Sequence, residues 1–534
     1  MNPAIPGGSV RTALVPAPDG TPLATDLCLP DGPGPHPAVL VRTPYDRRRH
    51  HAELRGWARR GFAAAAQDVR GRYGSAGRWR PYGPEADDGA ATVRWIRERP
   101  WSDGTLVACG ASYAAHCALV TALAADPAGR ADAVLAAVPA LGLAETAREP
   151  SGCERLLARA GWWAAHGDRR DGDEDALARA LAGDPGLLEH LPLTDLPRRL
   201  GRALPTWPEL WRARPAPLPA AAGTVPLLAV GGSHDPFAAD LLRLWRHWGG
   251  PARLLLGPWG HGLTADPGPD ATGPHRVRLG ELYAAWARAA LAGRLAPGRA
   301  GAVALGGSGR WLPAAALARR GTPYRFTADR TGTGTGTGTA DGADGTDGAD
   351  CADGTGGELR LLRGREFTAD PLRPVRSDDL AVPATGVPDR CLLLTAPLPR
   401  PLDLLGEAEV RLSAAADTAD ADWAARLVAL APDGRAAPLA AGIGRRRGAP
   451  GRTTAVPVPL GVLARRLPAG TRLRLEIAGH HFPAHARNPH TGEDPVTATA
   501  TRPSRRTVRT DGSALLLPVI APHPSADPFR EIRR

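Results

Sequence analysis

Short apolar runs recur at regular intervals through the first third of this 534-residue chain. Residues 38–41 (AVLV), 61–66 (GFAAAA), 105–108 (TLVA) and 133–138 (AVLAAV) are each too short for a buried helix and lack the alternation of a half-exposed strand. They read as strands buried on both faces and separated by helical stretches, the pattern of a parallel α/β sheet. The pattern resumes at residues 226–230 (PLLAV) and 253–256 (RLLL), and residues 276–294 have the amphipathic spacing of a helix that closes the unit. Between the two blocks, residues 145–221 carry helical patches such as ERLLARAGWWAAHG and a proline-rich stretch, without strand signals. They predict a helical insertion seated on the sheet.

After about residue 300 the helical rhythm fades. Runs at 409–412 (EVRL), 425–430 (ARLVAL) and 471–477 (TRLRLEI), punctuated by Pro, Gly and Asp, predict an antiparallel β-sandwich. The expected division is therefore an α/β core over 1–144 and 222–300, a helical cap over 145–221, and a β-sandwich over 301–534. Within the last lies TGTGTGTGTADGADGTDGADCADGTGG, residues 331–357, with no aromatic or branched aliphatic side chain to offset its ordering entropy. It predicts a disordered loop. A calcium-binding repeat on Asp341, Asp344, Asp347 and Asp350 is the alternative, but their spacing lacks the apolar residue that such repeats need at each turn.

Composition changes this picture little. All 66 basic residues are arginine and the net charge is +11, yet the arginines are scattered in pairs and triplets (47–49, 169–170, 445–447) and form no basic stripe. Nucleic acid is therefore not the expected partner. No signal peptide and no apolar run of membrane-spanning length is visible, so a cytoplasmic location is expected. Six irregularly spaced cysteines make neither a zinc site nor a disulfide framework, so no metal and no cofactor is expected.

The candidate chemistry begins at residues 106–116, LVACGASYAAH. A serine on a tight turn between a buried strand and a helix holds its hydroxyl at the carboxyl edge of the sheet, and the next amide, that of Tyr113, points where an oxyanion forms. Small neighbours (Gly110, Ala111, Ala114, Ala115) let strand and helix approach. The competing reading of Ser112 is a helix-capping hydroxyl. A nucleophilic serine needs a base, and the base a carboxylate to orient it. Asp235 follows the strand at 226–230 through GGSHDPF, and His261 follows the strand at 253–256 through GPWGHG; both stand past strand ends, where catalytic groups of open α/β sheets collect. His234, beside Asp235, is a weaker rival to His261.

These residues carry a resemblance. RTPYDRR at 42–48, QDVRGRYGSAG at 67–77, EADDGAATVRWI at 85–96, RPWSDGTLVACGASY at 99–113, GGSHDPF at 231–237, LGPWGHG at 256–262, and, further on, DTADADWAARLVALAPDGRA at 417–436 and GHHFPAHARNPHTGE at 479–493 resemble the cocaine esterase and X-prolyl dipeptidyl-peptidase-like family of serine hydrolases. The resemblance implies an α/β-hydrolase core, a helical cap and a jelly-roll, galactose-binding-like β-sandwich. It also implies Ser112 as nucleophile, Asp235 as orienting carboxylate, His261 as base, and Tyr45 with the Tyr113 amide as the oxyanion hole. One position departs: the family's glycine two residues beyond its elbow tyrosine is Ala115 here.

The expected activity is hydrolysis of carboxylic esters through an acyl-enzyme, with an acylase or dipeptidyl-peptidase acting on amides as the alternative within the class. A catalytically inactive binding protein that uses the jelly roll is the alternative outside it. Small-molecule esters or amides are the expected partners, without nucleic acid or membrane, and a homodimer is left open. Trp162, Trp163, Trp259 and Phe237 are candidate substrate-binding residues. Arg70, Arg72 and Asp68 read as structural. The uncharged Pro236, Phe237 and Ala238 after the aspartate favour neutral acyl groups over an ammonium, which needs a carboxylate partner. A carboxylate supplied by the cap, for instance Glu149 or Glu154, would reverse that preference.

Overall fold

The computed structural model describes residues 8–328 and 356–534. The first sheet takes strands β1 (Val10–Pro16), β2 (Pro22–Cys28), β3 (His36–Thr43), β4 (Ala63–Asp68), β5 (Ser102–Ala111), β6 (Ala133–Ala137), β7 (Leu227–Gly232) and β8 (Ala252–Gly257). A small hairpin, β9 (Trp259–Gly260) and β10 (Leu263–Pro267), follows β8, and β11 (Arg299–Leu305) and β12 (Arg310–Pro313) complete the sheet in the order β1-β2-β4-β3-β5-β6-β7-β8-β11-β12. From β4 to β11 every pairing is parallel, and the antiparallel strands stand at the edges.

Each central strand is apolar on both faces because each face meets helices. Along β5, Leu106 and Ala108 point to one cluster with Val93, Leu119 and Leu241, while Val107 and Cys109 point to the other with Trp57, Leu282 and Trp286. The helices that cover the sheet include α1 (His51–Ala58), α2 (Glu85–Arg97) and α3 (Tyr113–Ala122). The cap contributes α4 (Leu143–Ala147), α5 (Leu156–His166), α6 (Ala176–Gly183), α7 (Leu196–Arg199) and α8 (Trp207–Arg212). The sheet is then covered further by α9 (Ala238–His247), α10 (Leu279–Leu291) and, at the far end of the chain, α11 (Pro528–Arg533).

Two boundaries differ from expectation. The core does not stop at residue 300, because β11 pairs in parallel with β8 and brings β12 with it. Nor does the sandwich run to residue 534: Ile532 of α11 is fully buried in the sheet's second cluster, and the Arg534 carbonyl accepts a hydrogen bond from Arg253.

The C-terminal half forms the β-sandwich, whose strands β13 (Thr322–Thr327), β14 (Gly357–Arg363), β15 (Glu366–Ala369), β16 (Arg390–Leu394), β17 (Leu402–Ala416), β18 (Asp420–Leu430), β19 (Ala436–Arg447), β20 (Thr454–Leu467), β21 (Arg472–Ala478) and β22 (Ser504–Leu517) run in the order β19-β18-β21-β16-β14-β13-β22-β17-β20, with β15 against β22. The ribbon curls until its ends meet. At Gly442 of β19 a side chain would collide with the Pro459 carbonyl of β20, so only glycine admits that approach. Leu412, Trp423, Leu427, Val458, Leu475 and Leu515 fill the interior. Of the Thr-Gly/Asp-Gly tract, residues 331–355 lie outside the described residues, while Gly357 already opens β14.

Candidate active site

Four loops at the carboxyl ends of β3, β5, β7 and β8 bring the candidate residues together. Ser112 lies between β5 and α3 at φ 58°, ψ −121°, a left-handed conformation that a non-glycine residue holds only when its surroundings enforce it. Here the Ser112 amide donates to Ala137 O at 2.9 Å and its carbonyl accepts from Ala115 and Ala140. A side chain at position 110 would fall 2.3 Å from the Ala114 backbone, so the glycine is what lets β5 and α3 come this close. The hydroxyl makes no capping bond to the helix, which removes the capping reading. Ala115, the departure from the family pattern, is fully buried in the sheet's first cluster.

His261 stands on the turn of the β9–β10 hairpin, its Nδ1 2.8 Å from Asp235 Oδ1. The Asp235 side chain is wholly buried whereas the imidazole is partly open to the cavity. His234 goes elsewhere, to Asp270 at 2.6 Å. Ser112 and His261 line one cavity of about 360 Å³, shared with Tyr45, Tyr82, Ala140, Trp162 and Phe237. No Ser112–His261 hydrogen bond forms among the described residues, as is common before substrate tightens such a site.

Tyr45, past the end of β3, places its hydroxyl against the Ser112 side chain and accepts a hydrogen bond from Trp162 Nε1 at 3.1 Å. Burial pushes this phenol above its ordinary pKa, against those two hydrogen bonds, so it remains a neutral donor. Its loop is anchored by Arg72, whose Nε donates to Pro44 O at 2.9 Å and whose other nitrogens reach the His166 and Arg169 carbonyls of the cap. Arg70 pairs with Asp88 and Asp19, and Asp68 with Arg47, which makes all three structural. The Tyr113 amide opens α3 and has no acceptor within the helix.

Two of the four substrate-binding candidates line the cavity and two do not. Trp162 and Phe237 do. Trp163 points the other way into the cap, fully buried with its Nε1 on Thr206 Oγ1 at 3.0 Å: neighbours on a helix face about 100° apart, so only one of the pair can face the cavity. Trp259 is likewise buried, packed on Trp311, and serves as the anchor of the hairpin that carries His261.

The structure adds Tyr82, Arg155, Arg159 and His166 to the cavity wall. The signal for three of them is present in ERLLARAGWWAAHG, where Arg155, Arg159, Trp162 and His166 fall at helical spacing on one face of α5 or just before it. Burial, with Arg72, Arg49 and Arg202 nearby, lowers His166 to about 3, so it adds no charge at neutral pH. Glu149 and Glu154 are both committed: Glu149 to Arg155 (2.8 and 2.9 Å) and His485 (3.0 Å), Glu154 to Arg148 and Arg445.

This sheet, elbow and cavity define an α/β-hydrolase. Residues 19–263 match the profile of the X-Pro dipeptidyl-peptidase (S15 family), and residues 298–514 that of the X-Pro dipeptidyl-peptidase C-terminal non-catalytic domain. The chain belongs to the cocaine esterase/X-Pro dipeptidyl-peptidase-like family of serine hydrolases. It is 29% identical to the cocaine esterase of Rhodococcus sp. (strain MB1 Bresler), over 90% of this chain and 92% of that one. The same fold occurs in an aminopeptidase from a marine sediment archaeon, Thaumarchaeota archaeon (TM-score 0.73, 20% identity, 98% of each chain). It recurs in an α-amino acid ester hydrolase (TM-score 0.71, 19% identity, 97% of this chain and 98% of that one).

Proposed function

We propose that the protein hydrolyses carboxylic esters of small molecules through an acyl-enzyme, with Ser112 as nucleophile, His261 as base and Asp235 as its orienting carboxylate. His261 takes the Ser112 proton as Oγ attacks the ester carbonyl. The oxyanion of the tetrahedral intermediate then receives hydrogen bonds from the Tyr113 amide and the Tyr45 hydroxyl. Collapse expels the alcohol, which His261 protonates, and a water activated by the same imidazole releases the acid and regenerates Ser112. Asp235 keeps the Nδ1 proton in place and stabilises the imidazolium.

The observation that carries this reading is the strained Ser112, with its hydroxyl unused by the helix, in one cavity with an imidazole bound to a buried carboxylate. Esters are favoured over N-terminal peptides because an ammonium needs a carboxylate. Among the described residues the one carboxylate on the cavity wall, Glu174, is half-exposed and already near Arg49 (3.1 Å) and His166 (3.4 Å). The described cysteines are buried and unpaired, which supports a reducing, cytoplasmic setting. A fluorophosphonate should label folded protein at Ser112 and nowhere in Ser112→Ala. No adduct on Ser112 would favour a binding protein that retains the fold alone.

A further inference from the structure

Arg159 is the least explained group in the cavity. It is 7% exposed, its Nε is buried without a partner, and among the described residues its guanidinium makes no hydrogen bond and no ion pair. The ionisable groups acting on it are Tyr82, Arg155 and Tyr45, and none is a carboxylate. Burial lowers its pKa, but a guanidinium keeps its proton at neutral pH and cannot escape the cost of burial by neutralising itself. Groups of this kind are paired in folded proteins or await a partner. Arg155, four residues earlier on the same wall, shows the contrast: Glu149 holds it with two hydrogen bonds.

We infer that Arg159 is the recognition group for a substrate carboxylate, so that the preferred substrates are half-esters of dicarboxylic acids. This rests on the ester-hydrolase reading above and names its substrate class. A planar guanidinium with free donors matches a carboxylate two-pronged, and in a desolvated cavity such a pair is strong. The position assigns the charge to the acyl side. The departing alcohol must lie by His261, near Phe237, whose ring is 5.6 Å from the imidazole and 6.0 Å from the Arg155 guanidinium. Arg159 stands one helical turn beyond Arg155, toward Trp162, whose Nε1 donates to the Tyr45 hydroxyl. The neutral acyl group expected from Pro236, Phe237 and Ala238 is thus replaced by an anionic one, because the specificity-determining charge comes from the cap.

The test compares the ethyl half-esters of succinate, glutarate and adipate with the matching ω-carboxamide ethyl esters, each acid product being quantified by chromatography. Wild type should favour at least one carboxylate over its carboxamide by tenfold or more in kcat/KM. Arg159→Met should erase that ratio, and Arg159→Lys, which keeps the charge without the fork, should restore part of it. Acetyl esters of hydroxy acids, set against those of the matching hydroxyamides, test the side: a preference there and none in the acyl series overturns the assignment. Binding of ethyl hydrogen glutarate to Ser112→Ala by calorimetry needs no turnover, so it separates this inference from the esterase reading. Binding at least tenfold tighter than that of the carboxamide, lost in Ser112→Ala/Arg159→Met, supports it even where wild type hydrolyses neither. Equal binding of the two ligands overturns it.

Discussion

Removing the Tyr45 hydroxyl is the sharpest perturbation of the proposed oxyanion hole. Trp162 Nε1–H donates to the Tyr45 oxygen at 3.1 Å, which occupies one lone pair and leaves the phenolic hydrogen to turn toward Ser112. Tyr45→Phe therefore removes one of two donors aimed at the developing charge and leaves the Tyr113 amide in place. Loss of a single such donor costs about 10²- to 10³-fold in kcat, or ~3–4 kcal/mol, when the site is drained. Part of this cavity is open, so a loss of about ten- to a thousand-fold brackets the expectation. The bond is made only in the transition state, so kcat and kcat/KM should fall together while KM stays nearly constant. The variant also leaves the Trp162 N–H without its acceptor, which costs about 1 kcal/mol of stability. Steady-state hydrolysis of phenyl acetate measures the first effect and thermal unfolding the second. A kcat within twofold of wild type would remove Tyr45 from the site, whatever its contact with Ser112.

Other expectations are more briefly put. Ser112→Ala and His261→Ala should each abolish turnover of phenyl acetate without unfolding the protein, and the double variant should be no worse than either, since the pair acts as a unit; additive losses would mean that the two do not. For matched esters that differ only by an α-amino group, kcat/KM should not favour the amine, and a tenfold advantage for it would reveal an acidic pocket elsewhere. Arg445 is buried between Glu154 of the cap (2.9 Å) and Asp422 of the sandwich (2.7 Å), so Arg445→Met should cost about 3–5 kcal/mol, read from denaturant unfolding, because buried Asp422 loses its arginine and Glu154 keeps only Arg148. Burial pushes the Glu149 carboxyl upward, but hydrogen bonds from His485 and Arg155 outweigh it and hold the group at about 2 against an ordinary 4.5. Its stabilising contribution is therefore fully present above pH 4.5 and fades as pH falls toward 2; a Glu149→Gln variant should differ from wild type in urea midpoint near neutrality and converge with it in acid.

The parallel strands were legible because a strand buried on both faces leaves an unmistakable run, as 227–230 and 253–256 do, and the elbow because only small residues fit around Ser112. The last two strands of the first sheet were not. The run at 299–305, RAGAVAL, is rich in glycine and alanine and follows a helix that reads as a closing element, and only its pairing with β8 reveals it. The helix at 528–533 carries two apolar residues, too few for periodicity to report. Side-chain direction within the site was harder still. Trp162 and Trp163 are adjacent and identical in type, and Arg159 looks like any of the 66 basic residues until its lack of a partner is seen.

Among the described residues the sandwich adds no side chain to the cavity wall, yet it governs how the wall is held. The cap helices are 4 to 11 residues long, too short to be stable alone, and each must bury an apolar face. The cap cannot close that core from its own sequence: Phe482, Ala486 and Val496, which follow the sandwich strand β21, complete the cluster around Trp163, Trp207 and Leu210. The Leu157 amide, at the start of α5, donates to Pro483 O at 3.1 Å, and His485 holds the Glu149 that fixes Arg155. All of these are residues of GHHFPAHARNPHTGE or lie just beyond it. The helix that sets Trp162 on the Tyr45 hydroxyl and turns Arg159 toward the cavity is therefore clamped between the hydrolase sheet and the sandwich. Substitutions along 482–496 should then reach catalysis and acyl selectivity through α5, from positions that touch neither Ser112 nor substrate.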